Sequence, residues 1–514
     1  MTSSPRAPRR VAIPDFCGRP LTLSGDARQW EAAGPEGGDC LLLGLGPEDP
    51  AALPFAASGR VFWLDCPETR RALPDAPLPP SSWQEVTPEQ AVTLAARCRR
   101  YFYRPGLRLA PEFWGPLLGR MAAACCPLPP RAVGAGPLLI LPGDEHGLLH
   151  LELRHAAREL GLRVLDYPPD KGGAALFPLL RRAAAHAPAM LLSVNLRGLD
   201  AEGRLAHACL AAGISVVIWC VDNPWHLLSA ARGPWWRDCR ICVTDASFLD
   251  GLRRAGAQHV SLLPLAVAPH MWHVPLCRRE GSPLFVGRSA FPRKGSFFAA
   301  ASVPPELLAE GLQLVAADDP VPPDFHWWHE RLGGDCWPGT AVRCVGLGAE
   351  SCSQARRVHW VREALAAAKL RLVGDDGWRN VLPGAPVEPP VDYYAGLPEL
   401  YARSGAVLNV TSLLLPHSLS QRHFDVWAAH GLLLSDATPG LEIFSASLVE
   451  PMRLRRPADL PERLETFAAS PEKTKAFCAA WREELRAKHS YARRLQTLWR
   501  LREEDTPLLC CRCP

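Results

Sequence analysis

Apolar and polar positions alternate along this chain in two rounds of the same plan. From residue 137, short apolar runs at 137–141, 163–167, 189–195, 215–221, 241–244 and 260–264 predict buried strands. Longer mixed stretches at 148–160, 174–186, 202–212 and 246–255 fall between them and predict helices. Strands that alternate with helices of this length make a doubly wound parallel sheet. After a stretch at 265–275 that reads as a crossing linker, a second round begins. Its strands are expected at 283–288, 370–375, 408–412 and 432–436, with helices at 356–368, 397–404 and after Ser420. Residues 297–350 are rich in Pro and Trp and read as irregular. Helical patterns at 459–469 and 473–501 close the chain, the second long, amphipathic and charged.

The first 130 residues follow a different rhythm. Two short buried strands are expected within 39–46 and 59–65, with helical patterns at 89–103 and 111–124. Gly44-Leu45-Gly46 follows a strand, but without a third glycine or a helix start it reads as a turn and not a dinucleotide loop. Residues 126–136 are Pro- and Gly-rich and read as a linker. The expected organisation is an N-terminal α/β extension at 1–130, a first Rossmann-like domain at 131–275 and a second at 276–514 with the C-terminal helices.

Polar groups gather where the predicted strands end. In an open α/β sheet ligands bind at the carboxyl ends of strands, and an anion is favoured at a helix amino terminus. Asn409, Thr411 and Ser412 end one strand, Gly374 and Asp375 another, and Asp436, Gly440 and Glu442 follow a third. Arg288 ends the strand at 283–288 and Lys294 stands in the turn after it, and Arg422 and Asp425 open a helix. In the first domain Asn223 and His226 follow a central strand. Each has a plainer reading beside the functional one. Arg288 and Lys294 also suit a solvated turn, Asp425 a first-turn acid offsetting the helix dipole, Asp436 and Glu442 helix caps, and His226 a helix start beside Trp225.

Composition narrows the classes. At 514 residues the chain exceeds one core, and 48% apolar with 21% charged residues is ordinary for a globular protein. A net charge of +4 with no long basic run gives no reason to expect nucleic acid as a partner. The 18 cysteines sit mostly inside apolar runs, and the CxxC at Cys239 and Cys242 has no second pair, so a zinc knuckle is not expected. Neither a signal peptide nor a transmembrane run is evident, which predicts a cytoplasmic protein.

The stretch 391–444 carries a resemblance. Leu408-Asn409-Val410-Thr411-Ser412, Gln421-Arg422-His423-Phe424-Asp425, Ala428-Ala429-His430-Gly431 and Leu432-Leu433-Leu434-Ser435-Asp436 follow one another as in a known family. They resemble the C-terminal domain of bacterial glycosyltransferases related to the spore maturation protein CgeB. The resemblance is strong over about 280–445 and weaker over about 130–275. It implies the GT-B fold: two doubly wound Rossmann-like domains facing a cleft, the second binding a nucleotide-sugar and the first the acceptor. It implies that Arg288 and Lys294 hold the donor's diphosphate and that Arg422 neutralises it as it leaves. Asp425 falls at the ribose-binding carboxylate of related retaining transferases, and His417 stands where the first acid of that E-x7-E pattern would fall.

The function expected is transfer of a sugar from a nucleotide-sugar to an acceptor hydroxyl on a glycan or a protein. Retention of configuration is implied by the resemblance. No metal or other cofactor is expected, since Arg and Lys would supply the cations. Two alternatives stay open: a nucleotide-sugar epimerase on the same fold, and a non-catalytic GT-B-like binding protein.

Overall fold

The computed structural model describes residues 9–52, 59–126, 136–167, 176–184, 186, 188–291 and 293–505. Most of the expected 126–136 linker and the tail cysteines Cys510, Cys511 and Cys513 lie outside these residues.

Six parallel strands form the first large sheet. They are ordered His259–Leu262, Arg240–Val243, Ser215–Cys220, Ala189–Val194, Leu138–Pro142 and Arg163–Tyr167. Their continuous apolar sequences follow from burial on both faces. Leu191, Val216, Ile218 and Ile241 point to one face, and Leu192, Val217, Trp219 and Cys242 to the other. The helix His150–Glu159 covers the second face together with the last helix, Tyr491–Asp505, through Leu153, Ala156, Tyr491, Leu495 and Leu498.

Residues 297–350, expected to be irregular, are largely helical. Helices run over Pro305–Ala316, Phe325–Leu332 and Val342–Ala368. The Pro content that suggested a loop starts a helix instead, because Pro305 occupies a first-turn position where no N–H is needed. Asp324 caps the next, accepting from the His326 and Trp327 N–H groups at 2.9 Å each. Phe325, Trp328, Val342 and Val345 then pack on the first sheet's core rather than the second's.

The second sheet is also six-stranded and parallel, ordered Val387–Glu388, Arg371–Val373, Leu284–Val286, Val407–Asn409, Leu433–Asp436 and Arg453–Leu454. Chain order reverses between Leu284–Val286 and Val407–Asn409. The topological switch point, where a crevice opens at the strand ends, lies there.

The expected 473–501 helix is two, Pro471–Lys488 and Tyr491–Asp505. At the break, Val267 of the crossing linker donates its N–H to the His489 carbonyl at 3.0 Å. The chain thus returns to the first sheet beside the strand along which it left. With two doubly wound sheets and this return, the architecture is GT-B.

The N-terminal sheet has the order Trp30–Ala33, Arg99–Tyr103, Cys40–Leu43, Val61–Leu64 and Gln84–Glu85. The helix expected over 89–103 stops at Leu94. Arg99–Tyr103 is a strand, as its aromatic content favours. The helix Pro111–Cys125 lies against Arg204–Ala211, and Gly115 and Gly119 allow the approach. A Cβ on them would fall 2.3 Å from His207 Nε2 and 2.6 Å from the His207 carbonyl oxygen.

Candidate active site

Arg422 bridges the switch point. Its Nε donates to Asn409 Oδ1 at 3.0 Å, at the end of Val407–Asn409, and its guanidinium lies 5.7 Å from the Phe285 ring on Leu284–Val286. Among the described residues it forms no ion pair, and burial lowers its pKa. Ser420 Oγ also donates to Asn409 Oδ1, at 2.8 Å, and fixes the amide that aims the arginine. Asn409 is fully buried, so it positions Arg422 and does not itself face the crevice as expected.

The helix Val342–Ala368 supplies what the sequence reading missed. Glu350, Gln354 and Arg357 recur at i, i+4 and i+7, so one helical face presents all three. Lys294 Nζ donates to Gln354 Oε1 at 2.9 Å, and Arg357 Nη1 donates to the Arg288 carbonyl at 2.8 Å. Glu350 Oε1 stands 3.8 Å from both Lys294 Nζ and Arg357 Nη2. Burial lowers the Arg357 pKa, Glu350 opposes it, and the neighbouring Arg422 charge lowers it further. Lys294, Arg357 and Arg422 therefore concentrate positive charge at the switch point. Arg288 contributes its carbonyl there, while its side chain is exposed. Asp375 accepts from the Ser289 N–H at 3.1 Å and so holds the loop after Leu284–Val286. Gly374 lets that loop pass, since a Cβ would meet the Gly287 carbonyl oxygen at 2.4 Å.

Three predicted acids or polar groups are spoken for. Asp436 is buried and accepts from the Thr411 N–H at 2.9 and 3.0 Å, from Thr411 Oγ1 at 2.9 Å and from Arg356 Nη1 at 2.8 Å. Burial pushes its pKa up, but Arg356 and these donors outweigh that and hold it below the usual carboxylate range. Neither Asp436 nor Thr411 is free for sugar hydroxyls. Ser412 accepts the Leu414 N–H at 3.3 Å and shapes a turn.

Asp425 departs furthest from expectation. It is buried, and its carboxylate accepts from the Ala268 N–H at 3.0 Å, Gln421 Nε2 at 2.9 Å and Tyr393 Oη at 2.7 Å. Burial raises its pKa to about 7 against those donors. It ties the domain crossing to the second domain and is closed to a ribose. Tyr393 and its neighbour Tyr394 are both polar links: Tyr394 Oη reaches Glu152 of the first domain at 3.0 Å.

In the first domain Asn223 caps its helix, accepting from the Trp225 and His226 N–H groups at 3.0 and 3.2 Å. Its Nδ2 donates to the Leu414 carbonyl of the second domain at 2.9 Å. The His226 ring is enclosed by Phe297, Phe298 and Phe325, and burial pushes its pKa down to about 4. Both are interdomain packing residues, which replaces the substrate-binding reading.

The remaining predicted residues line an interdomain cavity of about 260 Å³. Thr244, Ala246 and Pro264 follow strands of the first sheet; His417, Gly440 and Glu442 come from the second. The His417 N–H donates to the buried Asp245 at 2.8 Å, and Ser418 Oγ lies 3.2 Å from Thr244 Oγ1, so the loop 412–420 is latched across the cleft. Gly440 makes room for it: a Cβ would lie 2.5 Å from the His417 carbonyl oxygen. Glu442 is exposed at the rim.

Residues 356–500 match the family described as Glycosyl transferase-like. The match lies within the part of the chain that carries the second sheet. The matched segment begins with Arg356 and Arg357 and includes Arg422. No curated protein matches the chain in sequence. Among solved structures, the DNA-modifying enzyme beta-glucosyltransferase, determined with and without uridine diphosphoglucose, is similar at a TM-score of 0.40. Identity is 10%, with 72% of this chain and 99% of that one covered. T4 phage BGT in complex with UDP and Mn2+ gives 0.39 and 11%, covering 71% and 99%. The fold assignment rests on the two sheets themselves. Among the described residues no helix is long and apolar enough to cross a membrane, and no group of three or more His, Cys, Asp or Glu is placed to hold a metal ion.

Proposed function

We propose that the protein transfers a sugar from a nucleotide-sugar to an acceptor hydroxyl, with the donor's diphosphate held at the switch point of the second sheet. The observation that carries this reading is Arg422, set between the two strands that part there, with Arg357 and Lys294 beside it. A diphosphate needs several fixed N–H donors, and guanidinium groups offer them in a planar fork. As the sugar–phosphate bond breaks, negative charge grows on the leaving diphosphate, and cations already in place stabilise that change without reorganising. The interdomain cavity beside His417 and Glu442 supports the acceptor side of the same reading, because residues of both domains line one open space, as an acceptor cleft between two such domains requires.

The proposal has finer parts: retention of configuration, which rests on the resemblance to CgeB-related transferases, a metal-free diphosphate site, in which Arg and Lys supply the cations, and a glycan or protein acceptor. Location in the cytoplasm and the domain limits at 130 and 275 are likewise part of it.

The test is nucleotide release from UDP-, GDP-, CMP- and dTDP-linked sugars, with mixed glycans as acceptors. One donor class should turn over, and Arg422→Ala should reduce that by about 100-fold or more while the protein stays folded. Undiminished turnover in the folded variant contradicts the proposal.

A further inference from the structure

Glu350 is an acid in a place built for an anion. Its side chain is 3% exposed, and Oε1 faces two cations at 3.8 Å each, beyond hydrogen-bond length. Oε1 has no hydrogen-bond partner in the protein. Both cations are bonded elsewhere, Lys294 to Gln354 and Arg357 to the Arg288 carbonyl. Burial raises the Glu350 pKa while Arg357 and Lys294 pull it back. A buried acceptor left unsatisfied opposes folding, and an apolar side chain there would avoid that penalty. Glu350 does not hold its neighbours by hydrogen bonds, so its effect on them is its charge.

We propose that Glu350 tunes the diphosphate site to favour the intact nucleotide-sugar over the nucleoside diphosphate left after transfer. This rests on the diphosphate reading above. In the donor each phosphate carries one ester and shares the anhydride oxygen, so each holds one negative charge. In the product the terminal phosphate is joined only through the anhydride, and its second ionisation falls near pH 6, as for other singly substituted phosphates, so at neutral pH the product carries more negative charge. A fixed carboxylate among the cations repels each ligand in proportion to its charge and so weakens the product more. Release of product limits turnover in many enzymes, and a built-in counter-charge speeds that step.

The experiment compares the full-length wild type with Glu350→Gln, which keeps shape and removes charge. Both are titrated at pH 7.5 with UDP, GDP, CDP and dTDP and with the matching nucleotide-sugars. The Gln variant should bind the nucleoside diphosphate at least about fivefold more tightly, with a smaller gain for the nucleotide-sugar. Glu350→Asp, which keeps the charge, should retain the wild-type ratio, and Glu350→Ala should follow Gln. Turnover in the Gln variant should fall through kcat with KM unchanged or lower. If wild type binds one diphosphate and neither neutral variant binds it more tightly, the inference is wrong and the diphosphate site stands. If no nucleoside diphosphate binds wild type or variants, the site reading fails and the inference with it.

Discussion

The Ala268 N–H, in the crossing linker that leaves the first domain, donates to the Asp425 carboxylate of the second at 3.0 Å. Gln421 extends the link by bonding the Ala266 carbonyl at 2.8 Å and accepting from Tyr491 Oη at 3.1 Å. Outgoing linker, returning helix and the helix that opens with Arg422 thus meet at one buried acid.

That acid gives a pH signature. Its folded pKa is raised to about 7 from an ordinary 3.8, so between those values the folded state binds the proton that the unfolded state releases. Its contribution to stability is therefore fully present below about pH 4 and is lost as pH rises towards 7. Melting temperatures of wild type and Asp425→Asn over pH 4–8 should show the downward slope only in the wild type. Parallel curves contradict it.

Arg356 and Asp436 form the buried pair beneath the site. Asp436→Ala leaves the arginine and the Thr411 N–H without their acceptor. A loss of about 3–5 kcal/mol in urea unfolding is expected. A loss under about 1 kcal/mol, the range of an exposed pair, means the pair is not buried as described.

Lys294 and Arg357 should act through charge. Lys294→Met is expected to weaken nucleoside diphosphate binding about tenfold and to flatten its dependence on salt, since one partly exposed cation is lost. An unchanged salt slope means the lysine does not meet the ligand.

Gly440 is predicted to tolerate no side chain. In Gly440→Ala the new Cβ pushes on the His417 carbonyl and displaces the loop latched to Asp245. Turnover should drop at least about tenfold with the second domain still folded. Wild-type turnover would show that the cavity beside His417 is not used.

The two sheets were legible because parallel strands buried on both faces write continuous apolar runs, as in Met190–Val194 and Val216–Cys220. The helices at 305–355 were not. Pro305 and the tryptophans disguised a helical layer whose partners, such as Ile218, lie far away in sequence. Arg422 could be singled out because its place at a strand-end crevice follows from local order. The role of Asp425 could not: its first-turn position is the same whether its carboxylate meets a ribose or the Ala268 N–H 157 residues away. Glu350, Gln354 and Arg357 carried a readable signal, a polar i, i+4, i+7 face, hidden by reading the helix as starting at Arg356.

The most direct test of the central claim is calorimetric titration of the purified chain with UDP, GDP, CMP and dTDP, repeated with Arg422→Ala. The account predicts that one nucleotide binds tightly to wild type and that the folded variant loses that binding. Binding of equal strength in both, or to neither, would contradict a diphosphate site at the switch point.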